Sequence, residues 1–407
     1  MIVEPESVGL SKSRLQRIVQ HMDRRYVTPG KIPGCLTLVS RRGEVAFLEA
    51  QGLMDRERGK PMTDDTLFRI YSMSKPVTSV ALMMLMEEAN FDLSTPVSKF
   101  IPEFKNLGVY GQGTYPTFVT TKPEREMNVK DILTHTSGLT YGFMYRTNVD
   151  AAYRRAGLGD LEHRDGQTLE NFVTTLATLP LEFSPGTAWN YSVSTDVCGR
   201  VVEVVSGQTL DVFMRERIFE PLGMTDTFFE VPDDKLDRFA ACYERTRKKE
   251  VRLQDDPQES PYRNVTYFSG GGGLVSTIHD YHRFCQMLLR GGELDGERLL
   301  GRKTIELMTT NHLPGGGDLV EHSVGMFAEV AFDGTGFGLG FSVNGGPQSS
   351  SQIGTAGEFA WGGAASTIFW IDPAEELVVV FMTQLMPSRT FDFRGQLKNL
   401  IYSSILD

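Results

Sequence analysis

Ser72-Met73-Ser74-Lys75 opens the long apolar run Val77 to Met86. Helical positions i and i+3 share a face, so the Ser72 hydroxyl and the Lys75 ammonium can meet. A serine hydroxyl becomes a nucleophile when a base takes its proton, and a desolvated lysine can be that base. The start of a helix adds free backbone N–H groups and the positive end of the dipole, which favour negative charge developing beside the serine. The chemistry this spacing offers is acyl transfer through a serine ester. Without further partners, an N-capping serine beside a solvated lysine is the simpler account.

A nucleophile of this kind needs a second proton carrier and an oxyanion hole. Tyr191 follows the turn-rich stretch Phe183-Ser184-Pro185-Gly186-Thr187-Ala188-Trp189-Asn190, just ahead of a helical pattern. That setting can aim a side chain into a cleft. A phenol and an ammonium have similar ordinary pKa values, so Tyr191 and Lys75 can share a proton. Trp361-Gly362-Gly363-Ala364 reads as the start of a strand continuing into Ser366 to Trp370. Its two glycines allow close backbone approach to a ligand, or simply a bulge or tight bend. Tyr141 and Phe143 follow Gly138 closely; they line an acyl or alcohol pocket, or merely pack.

The elements that must position these residues fall into a simple order. Leu15, Ile18, Val19, Met22 and Tyr26 recur at helical spacing after Ser11, an N-cap. Cys35 to Ser40 and Glu44 to Ala50 form a β-hairpin about Gly43, and Ser366 to Ile371 and Leu377 to Thr383 are strands near the other end. A last helix carries Leu397, Leu400, Ile401 and Ile405 on one face. Between the two strand groups lie helical patterns: the extension Leu82 to Glu88, then Val129 to Leu133, Leu169 to Leu179, Val197 to Val205 and Thr209 to Phe219. Gly108 to Glu126 and Pro314 to Asp318 read as loops. The fold class is therefore α+β: one antiparallel sheet built from both chain ends and flanked by helices, with a mainly helical lobe inserted. The expected division is one unit spanning 1–407, with an α/β lobe of about 1–75 and 191–407 and a helical lobe of about 76–190.

Composition narrows the partners. The 407 residues carry 52 acidic and 41 basic side chains, a formal net charge of −11. That balance opposes nucleic acid and anionic membrane as partners. The basic cluster Arg245-Thr246-Arg247-Lys248-Lys249 is followed at once by Glu250 and reads as a solvated segment. Cys35, Cys198, Cys242 and Cys285 are scattered, with no C-x-x-C pair for zinc or dithiol chemistry. His279 and His282 could ligate a metal at i, i+3, but no third ligand accompanies them, so no metal and no organic cofactor is expected. No export signal and no membrane-spanning run is visible, so a cytoplasmic protein acting on a small molecule is expected. G-x-S-x-G is absent, which removes the nucleophile elbow of the α/β-hydrolases. His135 is expected to hydrogen-bond a loop rather than to act in a triad.

Taken together, the S-x-x-K tetrapeptide, Tyr191-Ser192 and Trp361-Gly362-Gly363 resemble the serine β-lactamase and penicillin-binding protein superfamily. The nearest likeness is its class C-like branch, and within it the family VIII carboxylesterases. Ile132 to Leu139, Phe183 to Gly186, Pro221 to Met224 and Gly270 to Thr277 are similar to further family segments. The resemblance implies that Ser72 is acylated, that Lys75 and Tyr191 carry protons, and that the Ser72 and Ala364 N–H groups form the oxyanion hole. Trp361, Gly362, Gly363, Tyr141 and Phe143 would bind substrate. Two departures from the lactamase pattern favour uncharged esters. Val193 stands where lactamases carry an asparagine, and Trp361 where they carry a lysine. A β-lactamase, an acyltransferase or a small-amide hydrolase would use the same machinery. A non-catalytic member of the fold is the alternative of another class, against which the presence of all three residues argues. A cell-wall peptidase would need export.

Overall fold

The computed structural model describes residues 2–158, 166–325 and 327–407. An eight-stranded antiparallel sheet forms its centre, and the two chain ends meet in the middle of that sheet. Its spatial order is Thr335–Phe337, Ser342–Asn344, Phe359–Gly362, Ile368–Asp372, Leu377–Met382, Gly34–Arg41, Glu44–Asp55 and Lys60–Pro61. Leu36 pairs with Met382 and Leu38 with Val380 across the seam. The runs Gly34–Arg41 and Leu377–Met382 are buried along their whole length, as strands covered on both faces must be.

Alternation sorts their side chains between two cores. Leu36, Leu38, Phe369, Ile371, Val378 and Val380 join the larger core with the central helices. Cys35, Val39, Trp370, Val379 and Phe381 face the other way, onto Leu15, Ile18 and Met22 of the helix Lys12–Met22 and Leu397 and Ile401 of Phe393–Tyr402. Ser11 caps the first of these helices, its side chain accepting from the Arg14 N–H. The α+β class, the sheet drawn from both ends and the flanking terminal helices agree with the sequence reading.

On the larger face lies the helix Ser74–Glu87, buried from Ser74 to Leu85 on every side. A helix buried all round belongs at the centre of a large core. It packs against the helix Ser194–Ser206, while Ile278–Leu289 lies against the strand Leu377–Met382. No helix of the described residues is long and apolar enough to cross a membrane.

Two segments depart from the sequence expectation. Gly108 to Glu126, expected as a loop, contains the exposed hairpin Val109–Thr114 and Thr117–Thr121. Its alternating threonine, valine and aromatic residues suit a strand pair, but the glycines at 111 and 113 hide the pattern. Trp361-Gly362 does not start a strand; it ends the short strand Phe359–Gly362. The chain reverses between Gly363 and Thr367, where the Gly363 N–H donates to the Thr367 carbonyl at 2.7 Å and Ser366 takes φ +68°. No glycine, proline or asparagine marks the Ala364 to Thr367 half of that turn.

Leu397 is fully buried between the last helix and the sheet. Leu397→Ala should cost about 2–5 kcal/mol, seen as a lower denaturation midpoint. An unchanged midpoint would mean that the terminal helix is not part of the folding unit.

Candidate active site

Ser72 sits in the single 3-10 turn Tyr71–Met73 that leads into the helix Ser74–Glu87. It does not cap that helix. Tyr71, the residue before it, takes the left-handed conformation at φ +42°. For a non-glycine residue this costs about 1–3 kcal/mol and persists only where the surroundings enforce it. Tyr71 is wedged against Cys242, Ala364 and Ala365. On the other side the Tyr281 hydroxyl donates to the Met73 carbonyl at 2.9 Å. Below the turn, buried Arg69 pairs with Asp255 at 2.6 Å and lies 3.9 Å from the centroid of the Phe239 ring. The serine is thus gripped from three directions.

Lys75 and Tyr191 both reach it. Lys75 Nζ is 3.1 Å from Ser72 Oγ, and the Tyr191 hydroxyl donates to the same oxygen at 2.6 Å. Lys75 Nζ also donates to the Gly271 carbonyl at 2.7 Å and lies 2.9 Å from the Tyr141 hydroxyl. Ser72, Lys75, Tyr141 and Tyr191 are all buried. Burial pushes the Lys75 amine down to about 7, with the charges of Asp196 and Glu329 opposing it. Burial holds both phenols well above their usual range. At neutral pH the phenols are therefore neutral donors, and the lysine is the group poised to take a proton.

The loop that holds Lys75 runs along its helix. Leu274 N–H donates to Ser74 Oγ at 3.1 Å, and Thr78 Oγ1 donates to the Gly270 carbonyl at 2.7 Å. Such close backbone approach requires glycine: a Cβ at Gly270 would lie 2.6 Å from the Thr195 carbonyl oxygen, and one at Gly271 2.7 Å from Asp196 Oδ2. Buried Asp196 anchors the loop, its Oδ1 accepting from Ser269 Oγ at 2.6 Å and from the Gly271 N–H at 3.1 Å. Asp196 thus orients the carbonyl that tethers Lys75.

The reversal after Trp361 completes the site. A Cβ on Gly363 would lie 2.3 Å from the Ile70 carbonyl oxygen, so the turn lies directly against the chain leading to Ser72. Among the described residues no acceptor takes the Ala364 N–H. Trp361 itself corrects the sequence expectation. Its indole is fully buried and packs 5.5 Å from the Tyr191 ring, so it has no surface to offer a substrate. It supports the phenol instead. Tyr141 is buried with its hydroxyl 2.9 Å from Lys75 Nζ, while Phe143 is partly buried, stacked on Tyr141 at 4.7 Å. Val193 is buried in the same core.

The histidines lie elsewhere. His135 Nδ1 is 3.1 Å from Ser192 Oγ and its ring meets Tyr191 edge-on at 5.1 Å. Burial keeps it neutral, and it props the tyrosine loop. His282 turns inward to Ser40 Oγ at 2.7 Å, whereas His279 points outward towards Asp64. Among the described residues no three His, Cys, Asp or Glu side chains cluster to hold a metal. Sequence reasoning missed the parts played by Asp196 and Gly271. The signal within reach was the four-glycine run, which demands close packing against something.

Comparison with known proteins places this geometry. A sequence profile of the family described as Beta-lactamase matches residues 16–402. The chain belongs to the beta-lactamase family. It is 35% identical to protein Rv1367c of Mycobacterium tuberculosis, over 91% of this chain and 90% of that one. It is 28% identical to esterase EstB of Burkholderia gladioli, over 94% and 93%. Among solved structures it superposes on EstCE1, described as a hydrolase with promiscuous acyltransferase activity, with a TM-score of 0.80 and 27% identity over 96% and 98%. Esterase EstB and EstCE1 bear out the likeness to family VIII within the serine β-lactamase and penicillin-binding protein superfamily.

If Lys75 serves as the base and loses its proton near pH 7, turnover of an acyl substrate should rise with pH through that value. Asp196→Asn removes a charge that favours the ammonium, so the rising limb should move to lower pH. A pH–rate profile of both proteins checks the direction, and a limb that stays put would remove Asp196 from the electrostatics of the site.

Proposed function

We propose that this member of the beta-lactamase family is a serine carboxylesterase that works through an acyl-Ser72 intermediate. The observation that carries the reading is the Ser72 hydroxyl held between Tyr191 at 2.6 Å and a desolvated Lys75 at 3.1 Å. The site stands at the proposed junction of the lobes 1–75 with 191–407 and 76–190.

Ser72 Oγ attacks the ester carbonyl as its proton passes to Lys75 Nζ. The carbonyl oxygen gains the negative charge and is met by the Ser72 and Ala364 N–H groups, donors that need no rearrangement. Collapse of the tetrahedral species breaks the bond to the alcohol oxygen, which leaves with a proton from the Lys75–Tyr191 pair. Water then attacks the acyl-enzyme and the same groups return the proton. Tyr141 and the Gly271 carbonyl hold the lysine throughout.

Uncharged esters suit the site best. The place where lactamases carry a lysine is filled by a buried indole, and Val193 supplies no side-chain amide. An anionic lactam would meet neither the cation nor the amide. Acyl transfer to an alcohol is the second reading. It is favoured by the burial of Ser72, only 4% exposed, which restricts water at the acyl-enzyme. The promiscuous acyltransferase activity ascribed to EstCE1 is in keeping with it.

Ser72→Ala should abolish turnover of p-nitrophenyl esters. Tyr191→Phe should lower kcat by about 10²–10⁴-fold with KM little changed, because the lost hydroxyl acts on the transition state. Hydrolysis of a cephalosporin or a D-Ala peptide faster than of any ester would overturn the substrate assignment. An unchanged rate in Ser72→Ala would overturn the mechanism.

A further inference from the structure

Resting on the esterase reading, we propose that Arg394 is a positioning residue for the oxyanion hole. From the last helix it fixes the pair of strands whose connecting turn carries the Ala364 N–H. The strands Phe359–Gly362 and Ile368–Asp372 form an antiparallel arm that ends in the turn from Gly363 to Thr367. Trp361 and Phe369 stand opposite one another near the end of that arm. Arg394 donates to both, Nη2 to the Trp361 carbonyl at 2.7 Å and Nη1 to the Phe369 carbonyl at 3.1 Å. One planar guanidinium thus spans the two strands just below the turn and fixes their separation.

The turn is tied at its tip as well as at its stem. Leu385 N–H donates to the Ala365 carbonyl at 3.0 Å, and Ser366 Oγ donates to the Leu385 carbonyl at 2.7 Å. Gly362 makes room for the guanidinium at the stem. A Cβ there would lie 3.2 Å from Arg394 Nη2 and 3.3 Å from Glu329 Cβ.

Arg394 belongs to a polar stripe that faces the sheet. Arg394, Lys398 and Tyr402 stand at i, i+4 and i+8 on the helix Phe393–Tyr402, so they share a face. Lys398 Nζ pairs with Glu358 at 2.5 Å, and the Tyr402 hydroxyl lies 2.8 Å from Glu358 and 2.7 Å from Asp372. Glu358 immediately precedes one strand of the arm and Asp372 ends the other. The stripe therefore clasps the arm at its far end through Lys398 and Tyr402, and near the turn through Arg394. Leu397 and Ile401 anchor the same helix in the core.

Stability alone does not call for this arginine. Burying a guanidinium is costly, and an apolar side chain of similar volume often serves a core as well. Burial lowers Arg394 to about 10, with the charges of Glu358, Glu329 and Asp392 opposing, so it is a cation at neutral pH. Among the described residues its hydrogen bonds go to the two carbonyls and to no carboxylate. A buried cation spent on backbone rather than on a partner charge sets geometry. An oxyanion hole depends on such geometry, because its donors act only where they are already in place, and a displacement of about 1 Å costs about 10²-fold.

Arg394→Met keeps an apolar stem and removes the donors. It should lower kcat for p-nitrophenyl acetate about 10²-fold, with KM and the denaturation midpoint little changed. The decisive readout compares that ester with its thionoester, whose larger, weakly accepting sulfur reports on donor placement. Fixed donors favour oxygen, so the oxygen-to-sulfur rate ratio should fall about tenfold in Arg394→Met. Arg394→Lys replaces the fork by a point charge and should give an intermediate ratio. Where the methionine variant does not fold, the lysine variant is read by the same ratio. A cavity of about 320 Å³ lined by Arg394, Arg389, Glu329, Ser388 and Gly363 adjoins the guanidinium. In Arg394→Ala, guanidinium added below denaturing concentration should enter there and restore part of kcat, whereas tetramethylammonium, which has no N–H, should not. A loss shared equally by ester and thionoester, or a kcat that guanidinium does not lift, would overturn the positioning role alone. Failure of a fluorophosphonate to label Ser72 in the unaltered protein would overturn the esterase reading instead.

Discussion

A single buried amine governs this site. Lys75 lies at the first turn of a helix that is buried all round, and among the described residues no carboxylate contacts its amino group directly. A charged ammonium in that place would have lost its water for two hydroxyls and one carbonyl. Desolvation therefore lowers its proton affinity towards neutrality, with two more distant carboxylates, Asp196 and Glu329, limiting the fall. The same burial keeps the phenols of Tyr141 and Tyr191 protonated. One environment thus produces an acceptor and two donors around the Ser72 hydroxyl, without a histidine.

Much of the fold exists to hold that environment together. The sheet supplies the turn after Trp361, whose Gly363 lets it lie directly against the Ile70 carbonyl on the chain leading to the serine. The helix Ser194–Ser206 supplies Asp196, which grips the glycine loop. The loop in turn presents one carbonyl to the lysine. Strain at Tyr71 is enforced by the wall of Cys242, Ala364 and Ala365 against which it is wedged. The geometry of Ser72 and the electrostatics around it therefore share the same supports.

The local parts of this arrangement were legible in the sequence. The S-x-x-K spacing, Tyr191 before a helix and the double glycine after Trp361 each carry a short-range signature, and the β-prone runs Cys35 to Ser40 and Leu377 to Thr383 exposed the sheet. What stayed hidden depends on contacts between distant segments. Nothing near Asp196 shows that it meets Gly271, and nothing near Phe327 shows that it meets Phe143. Trp361 misled for a related reason. A large indole beside a motif suggests a substrate wall, but the turn at Gly363 to Thr367 directs it into the core beneath Tyr191. The hairpin 109–121 was obscured by glycines within an otherwise β-prone run.

The mechanism stands or falls on the charge of Lys75. The most direct measurement is an NMR titration of the lysine Cε signals in ¹³C-labelled protein from about pH 5 to about pH 11, with the resonance assigned by Lys75→Arg. The Lys75 signal should titrate with a midpoint of about 7, well apart from the surface lysines. A midpoint among theirs, near about 10.4, would contradict the mechanism, because the amine would then be an ammonium at neutral pH and unable to take the serine's proton.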